Sequence, residues 1–483
     1  MMINFEKTSF CERLRPQKQT ILPRSTVLQA APKNEPMTTR RQFLKQALSG
    51  GAVLALGGIM PGLSAKSYTH ISGANDRIRA GAIGVNSRGL ALATNFSKQE
   101  NCVVNHICDV DSRALEKCAA EVEKFGKNTV KRSRDLRKML EDKDTDIIII
   151  ATPDHWHAPA ALMAMQAGKH VYLEKPCSHS PREGEILIQA AAKYGRLIQM
   201  GNQRRSWPNV VAGIQRLKEG AIGRVYFGKS WYTANRPSIG VGQTVAVPEW
   251  LDWELWQGPA PRQPYKDNIV HYNWHWFWNW GTGEALNNGT HMIDLLRWGM
   301  EEEFPIRVSS TGGRYRYKDD WETPDTQIIN LEFADGKAMT WEGRSCNGCT
   351  IAGTPVGAIF YGETGSMLIT GDNAYTIFDL NDKIIEEAQT QDAAIDPRNL
   401  MNPTEKLDSF HYQNFFDAIR KNTPLHADIV SGHTSTALVQ LGNIAQRVNR
   451  TLETDPLNGH ILNDPEAQAL WTREYEPGWE MKI

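Results

Sequence analysis

The sequence predicts an α/β chain, with a doubly wound parallel sheet in its first half and a mainly antiparallel α+β domain in its second. Three observations predict it. A strand-like run at 77–84 leads into a glycine-spaced turn ending at Gly89. Short apolar runs then alternate with helical segments as far as residue 200. From Val225 onward, strand-like runs separated by turn residues take over. At 483 residues the chain is too long for one core. It divides into a signal region at 1–65, a nucleotide domain at 76–200, a second domain at 201–455 and a tail at 456–483. Lys and Arg number 54 against 55 Asp and Glu, so no surface is set up to neutralise phosphates and a nucleic-acid partner is excluded. A hydrophobic fraction of 41% with 23% charged residues excludes global disorder.

The N-terminal region reads as an address. Arg40 and Arg41, followed by Phe43, Leu44 and Lys45, precede a weakly apolar run at 47–63 and a small-residue site at Leu63-Ser64-Ala65. That is a twin-arginine export signal, placing the mature chain outside the cytoplasm, periplasmic in a two-membrane cell, from about Lys66. Five glycines in the run (Gly50, Gly51, Gly57, Gly58, Gly62) argue against a stable membrane anchor. Met37 would start a signal of ordinary length, so residues 1–36 read as an upstream over-extension.

The first strand, 77–84, enters Gly84-Val85-Asn86-Ser87-Arg88-Gly89 and a helix at 90–97. This is the phosphate fingerprint G-x-G-x-x-G with Asn86 at its middle glycine: Gly84 for the tight turn, Gly89 for close helix–strand packing, the helix N-terminus and Arg88 toward the pyrophosphate. Asn tolerates positive φ, so the turn survives the replacement. A second strand, 103–108, ends at Asp109, 20 residues after Gly89. There a carboxylate bonds the adenosine ribose, giving a Rossmann-type reading. With no adjacent Arg, Asp109 favours NAD over NADP, because a 2′-phosphate would meet a like charge. The competing reading of Asp109 is an N-cap for a helix starting at Ser112. The apolar run 146–152 is a central strand. A helix at 158–168, a strand at 170–174, a helix at 181–194 and a strand at 197–200 complete the alternation.

Seven cysteines are present. Cys102, Cys108, Cys118 and Cys177 lie in apolar segments and read as core thiols. Cys346-Asn347-Gly348-Cys349 lacks the second pair a zinc site needs, so no metal is expected; an Asn-Gly turn closing a hairpin is the better reading, with a disulfide as the alternative. Strands are expected at 225–233, 306–317, 326–333, 338–343, 357–361, 366–370 and 375–379, with hairpin turns at 334–336 and 362–365. Helices follow at 409–420 and 434–449. Trp274, Trp276, Trp278 and Trp280 alternate with other residues. An extended segment would line them on one face as a platform for sugar rings; an aromatic core under a loop is the alternative.

Ala151-Thr152-Pro153-Asp154-His155-Trp156-His157, then the Glu174-Lys175-Pro176 that ends the run from Gly168, then 200–205 and 288–298, resemble the Gfo/Idh/MocA oxidoreductase family over about 76–455. The resemblance implies an open sheet in the second domain, one face on the active site and the other used for homo-oligomerisation. It implies a nicotinamide cofactor met by Thr152, Pro153, His157, Glu174 and Lys175, and catalysis by Lys175 and His291. Lys175 would take the hydroxyl proton as hydride leaves. Asp294, at i+3 from His291, would orient the imidazole or cap locally. Asn202, Arg204, Trp276, Asn287 and His291 are the candidate substrate residues. Many members carry Asp where this chain has Asn287, and a neutral amide takes no proton. In the exported N-acetylgalactosaminidase branch the lysine of Glu-Lys-Pro is replaced; its retention here favours alcohol–ketone redox on a sugar or polyol with tightly held NAD(H). The alternatives are a redox-neutral glycosidase, epimerase or eliminase, which export favours because no cofactor pool recycles NADH there, and a non-catalytic carbohydrate-binding protein.

Overall fold

Strands three to seven residues long, mainly apolar except at the β3 edge, form a six-stranded parallel sheet in the order β3-β2-β1-β4-β5-β6. The computed structural model describes residues 77–126, 128–390 and 405–483. The twin-arginine segment lies outside the described residues. The strands are β1 Ile78–Ile83, β2 Cys102–Cys108, β3 Lys131–Ser133, β4 Ile147–Ile150, β5 His170–Leu173 and β6 Ile198–Met200. Helices α1 Arg88–Ser97, α2 Ser112–Gly126, α3 Leu136–Leu140, α4 Asp154–Gln166 and α5 Pro181–Tyr194 connect them. All four isoleucines of β4 are fully buried, as a central strand covered on both faces requires. The order reverses between β1 and β4, and ligands of such sheets bind at that switch point, beyond the strand C-termini.

Short elements went unread in the sequence. β3 and α3 have only three and five residues. α4 begins at Asp154, four residues before the expected start, so Asp154, His155, Trp156 and His157 lie on its first turn rather than in a loop.

The second domain opens with α6 Pro208–Lys218 and β7 Val225–Thr233. Between β7 and a π turn at Ala285–Gly289 runs a long segment with one short helix, α7 Trp253–Gln257. Helix α8 Thr290–Met300 continues from the π turn. Strands β8 Arg307–Gly313, β9 Thr326–Glu332, β10 Ala338–Arg344, β11 Val356–Gly362, β12 Gly365–Thr370, β13 Ala374–Asp379 and β14 Ile384–Gln389 follow. Helices α9 Glu405–Lys421 and α10 Ile429–Val448, strand β15 Leu452–Glu453 and helix α11 Pro465–Ala469 complete the elements. The sheet order is β14-β13-β12-β11-β7-β10-β9-β8-β15. It is open and antiparallel except where β7 pairs with β10 in parallel.

That exception corrects one expectation. β10 and β11 are not a hairpin, because β7 lies between them. The 346–349 segment is instead a crossover loop, in which Asn347 Oδ1 accepts from the Cys349 N–H at 3.0 Å. Cys346 and Cys349 are both free thiols. The turns at 334–336 and 362–365 do close antiparallel pairs.

Helix α9 packs back on the nucleotide domain. Tyr412, Phe415 and Phe416 enter the same buried cluster as Phe96 of α1 and Tyr172 of β5. The tail is docked as well. Glu183 of α5 is buried and accepts from Arg473 Nε at 2.7 Å and the Tyr475 hydroxyl at 2.8 Å, and Trp479 meets Trp156 edge-on. Among the described residues no helix is long and apolar enough to cross a membrane.

Candidate active site

A cleft of about 390 Å³ opens at the C-terminal ends of β1, β2, β4 and β5 and runs to the π turn of the second domain. Its first wall is the glycine turn. Gly84 holds φ +76°, and a Cβ there would meet the Thr152 backbone at 2.8 Å. A Cβ on Gly89 would lie 1.7 Å from the Gly84 carbonyl oxygen, so only glycine lets α1 approach β1 this closely. Asn86 is not among the positive-φ residues, so no left-handed tolerance is needed at the middle position. Asn86, Ser87 and Arg88 line the cleft, while Gly89 lies behind it. Ser87, at the N-cap of α1, makes no side-chain cap bond, and no acidic residue stands in the first turn. The helix N-terminus therefore keeps N–H groups and partial positive charge for an anion.

Asp109 lines the cleft at the end of β2. Its Oδ2 accepts from the Val85 N–H at 2.7 Å and its Oδ1 from the Asp111 N–H at 2.9 Å. The carboxylate thus ties the glycine turn to the next loop and still faces the space a ribose would fill. Burial raises its pKa, which these two N–H groups oppose. The capping role belongs two residues on, where Asp111 accepts from the Arg113 N–H at 2.8 Å.

Asp111 also anchors the 234–284 segment, which crosses this end of the cleft. Its Oδ2 pairs with His271 Nε2 at 2.8 Å. Leu251 bridges Asp111, the Ser112 N–H donates to the Trp250 carbonyl at 3.0 Å, and the Asp252 N–H to the Val110 carbonyl at 3.1 Å. The Arg113 guanidinium stacks 3.4 Å over Trp250. Leu255 and Trp256 of this strap join the cleft wall.

The far end gathers the chemistry. Glu174 Oε1 accepts from Arg88 Nε at 2.9 Å and Gln203 Nε2 at 3.2 Å. Arg88 also forks onto Asp408 of α9, at 2.8 and 3.0 Å. Its charge is therefore shared between two carboxylates, and it holds the two domains together at the cleft wall. His157 lies between the Thr152 carbonyl (Nε2, 2.9 Å) and the Pro176 carbonyl (Nδ1, 2.6 Å), so both ring nitrogens face the loops after β4 and β5.

Lys175 follows. Its Nζ donates to the Asn287 carbonyl at 2.5 Å and to Asn287 Oδ1 at 3.2 Å. A tetrahedral nitrogen tethered at two positions keeps a third, which is N–H in the ammonium and a lone pair in the amine. Burial pushes the Lys175 pKa down, opposed by Glu174, Asp154 and Glu284. His291 lines the same wall; its Nδ1 is buried without a partner among the described residues, and burial with the nearby Arg204 and Lys175 charges drives its pKa well down, which favours the uncharged ring.

Several expected contacts fall elsewhere. Asp294 does not orient His291: Arg205 Nε takes it at 2.8 Å and the Ser435 hydroxyl at 2.6 Å. Asn202 and Arg204 are buried outside the cleft lining, Arg204 stacked against Trp207 and donating to the Gly371 carbonyl at 3.0 Å. Gln203, between them, is the residue that reaches the cleft. Trp276 is buried behind the wall, stacked on Trp321 at 3.9 Å. Residues Asn273–Trp276 form a 3₁₀ turn, so the tryptophans do not share a face. Trp280 packs with Trp253 and Trp256, and only Trp274 of the four, stacked on His275, reaches the cleft. The lining also holds Asp154 and Asn288, which lie inside the family runs without a role of their own, and Arg236 and Tyr272, which carry no motif signal. Asp154 accepts from the Thr282 hydroxyl at 2.5 Å.

The uncapped helix start, the ribose-facing carboxylate and the long cleft between them and Lys175 fit a dinucleotide with its pyrophosphate at α1 and its nicotinamide at Lys175.

Comparison with known proteins agrees. The chain is 29% identical over 207 residues to "Glycosyl hydrolase family 109 protein 2" of Shewanella sp. strain ANA-3, covering 40% of this chain and 45% of that protein. It is 28% identical over 227 residues to a "Glycosyl hydrolase family 109 protein" of Saccharopolyspora erythraea, covering 44% and 49%. The chain thus spans a little under half the length of the curated relatives it matches. The WlbA dehydrogenase of Bordetella pertussis, solved with NADH and UDP-GlcNAcA, superposes with TM-score 0.58 at 18% identity, covering 78% of this chain and 99% of that one. A levoglucosan dehydrogenase solved with NADH and levoglucosan superposes with TM-score 0.59 at 18% identity, with the same coverage. At such identities the likeness is one of fold. Residues 78–202 match the description "Oxidoreductase family, NAD-binding Rossmann fold", and residues 238–481 match its "C-terminal alpha/beta domain". The chain belongs to the Gfo/Idh/MocA family of NAD-dependent oxidoreductases.

Proposed function

We propose that this enzyme moves a hydride between NAD and a hydroxyl carbon of a sugar or polyol, with Lys175 handling the hydroxyl proton. The carrying observation is Lys175 itself. Two tethers to Asn287 hold its Nζ on the cleft wall, and burial lowers the cost of holding it as the amine. Bound here, the nicotinamide supplies the hydride acceptor. Glu174, fixed by Arg88 and Gln203, orients that end of the site. The Lys175 amine accepts the hydroxyl proton, and His291, neutral on the same wall, hydrogen-bonds the same oxygen. Trp274 offers an aromatic face to a sugar ring at the cleft mouth.

One observation favours a second reading, oxidation followed by re-reduction within one turnover. The strap at 250–252 and 271 joins the loop beside Asp109 through backbone bonds and the His271–Asp111 side-chain hydrogen bond, so cofactor exchange would require those contacts to part. The glycosyl hydrolase relatives point the same way. A panel of free sugars, polyols and glycosides, assayed with and without an electron acceptor, separates the two. The dehydrogenase reading expects reduced nicotinamide and an oxidised sugar, with turnover dependent on the acceptor. Product from glycosides without any acceptor would replace it with the redox-neutral reading.

Export by the twin-arginine route belongs to the same proposal. Replacing Arg40 and Arg41 together by Lys should leave unprocessed precursor in the cytoplasm; normal processing of that variant in a fractionation experiment would remove the reading. Homo-oligomerisation through the outer face of the nine-stranded sheet, where Tyr226, Ile328 and Ile384 are exposed, is proposed alongside it.

A further inference from the structure

The π turn at Ala285–Gly289 widens the helix start and places the Asn287 carbonyl against Lys175 rather than in a regular i→i+4 ladder. The Asn287 side chain is gripped at both ends. Its Oδ1 accepts from Lys175 Nζ at 3.2 Å, and its Nδ2 donates to Glu284 Oε1 at 3.3 Å. A carboxylate only accepts and a lysine tethered this way only donates, so these two partners forbid the flipped amide. Glu284 is itself fixed. Its oxygens accept from Arg236 Nε at 2.7 Å, from the Ser345 hydroxyl at 3.0 Å and from Asn288 Nδ2. Glu284 is buried, 3% exposed, and does not line the cleft.

We infer that Glu284 is a positioning residue for Lys175, acting through the oriented Asn287 amide, and that it supplies from one helical turn back the negative charge that position 287 lacks. The inference rests on Lys175 being the proton-handling group proposed above. Charged groups face Lys175 from every neighbouring element: Glu174 beside it, Asp154 on α4 and Glu284 favour the ammonium, while Arg88 on α1 opposes it. His275 and His291 also face it, and their pKa values are pushed down chiefly by desolvation, which favours the uncharged rings. Glu284 thus offsets part of the burial penalty on the lysine while standing too far back to take a substrate proton. A carboxylate placed at 287 would come within hydrogen-bond distance of Glu284, and two like charges there would pull the Lys175 proton on more tightly.

The test needs no substrate. The intact protein as purified is labelled with trace acetic anhydride at a fixed pH below the Lys175 midpoint, and Lys175 acetylation is quantified by peptide mass spectrometry against surface lysines. Only the free amine reacts. Glu284→Gln should raise labelling of Lys175 about threefold or more, and Asn287→Asp should lower it by a similar factor. The double variant, which moves the single carboxylate to 287, should return to within about twofold of the wild type. A purely structural role for Glu284 would not reverse on adding Asn287→Asp. Unchanged or slower labelling in Glu284→Gln, or no return in the double variant, would overturn the inference. If Glu284→Gln fails to fold, Asn287→Asp, which leaves the Arg236–Glu284 pair intact, decides alone: slower labelling supports the inference and unchanged or faster labelling overturns it. Turnover is not measured, so the proposed reaction and this inference can fail separately.

Discussion

The two ends of the cleft are built by different rules. The adenosine end is local and made of backbone: a glycine turn, an uncapped helix start and Asp109, all within 26 residues from Gly84 to Asp109, holding one another through N–H bonds. The nicotinamide end is assembled from distant segments. Lys175 meets Asn287, 112 positions on, and Arg88 meets Asp408, 320 positions on. On the proposed function, binding is encoded by a short stretch of chain, and chemistry by how two domains close on each other. Damage at the first end should cost affinity, and damage at the second should cost rate.

The largest effect is expected at the second end. Lys175→Met keeps the stem and removes the nitrogen, and kcat for the sugar found in the panel should fall by about 10²–10⁴ with much less change in substrate affinity. At the first end, Gly89→Ala forces a Cβ into the Gly84 carbonyl. It should destabilise the fold by about 1–3 kcal/mol, read as a lower Tm, and empty the protein of NAD(H), read after denaturation. Retention of full cofactor content would break the claim that close α1–β1 contact makes the site. Asp109→Ala should weaken NAD binding by about 1–3 kcal/mol, measured by calorimetry on protein stripped of cofactor, while kcat at saturating NAD stays close to that of the wild type.

A further expectation concerns neither end, which makes it a control. His155, His411 and His433 are buried, and burial drives their pKa values from 6.5 to about 3, 4 and 4. The folded state keeps them neutral while the unfolded chain binds protons below its ordinary histidine pKa. Stability is therefore fully present above pH 6.5 and is lost as pH falls from there toward 4. A Tm that stays flat across that window would show that these rings are not held neutral.

The same contrast explains what was legible in the sequence. The nucleotide domain announced itself because its signals are periodic and contiguous: the Gly84–Gly89 turn, the four isoleucines of β4, the Glu-Lys-Pro run. Where residues of one segment are claimed by another, spacing misled. Asp294 lies one turn from His291, yet Arg205 takes its carboxylate. The alternating tryptophans suggest a strand, but the 3₁₀ turn at Asn273–Trp276 turns their faces apart and Trp321 claims Trp276. The Asn-Gly at 347–348 suggests a hairpin, but β7 inserts between the two strands it would join. Glu284 and Arg236 carry no motif, and Asp154 sits in one without a role of its own; only the closed tertiary structure brings them together around the lysine.

The central claim, that this cleft separates binding from proton transfer, is tested most directly by one single-turnover experiment. Wild type, Lys175→Met and Asp109→Ala, each saturated with NAD, are mixed with the same sugar, and the rise of reduced-nicotinamide absorbance is followed. The account predicts a rise in Asp109→Ala near the wild-type rate and a rise slowed at least about a hundredfold in Lys175→Met. Equal rates in Lys175→Met and the wild type, or a slow rise confined to Asp109→Ala, would contradict it.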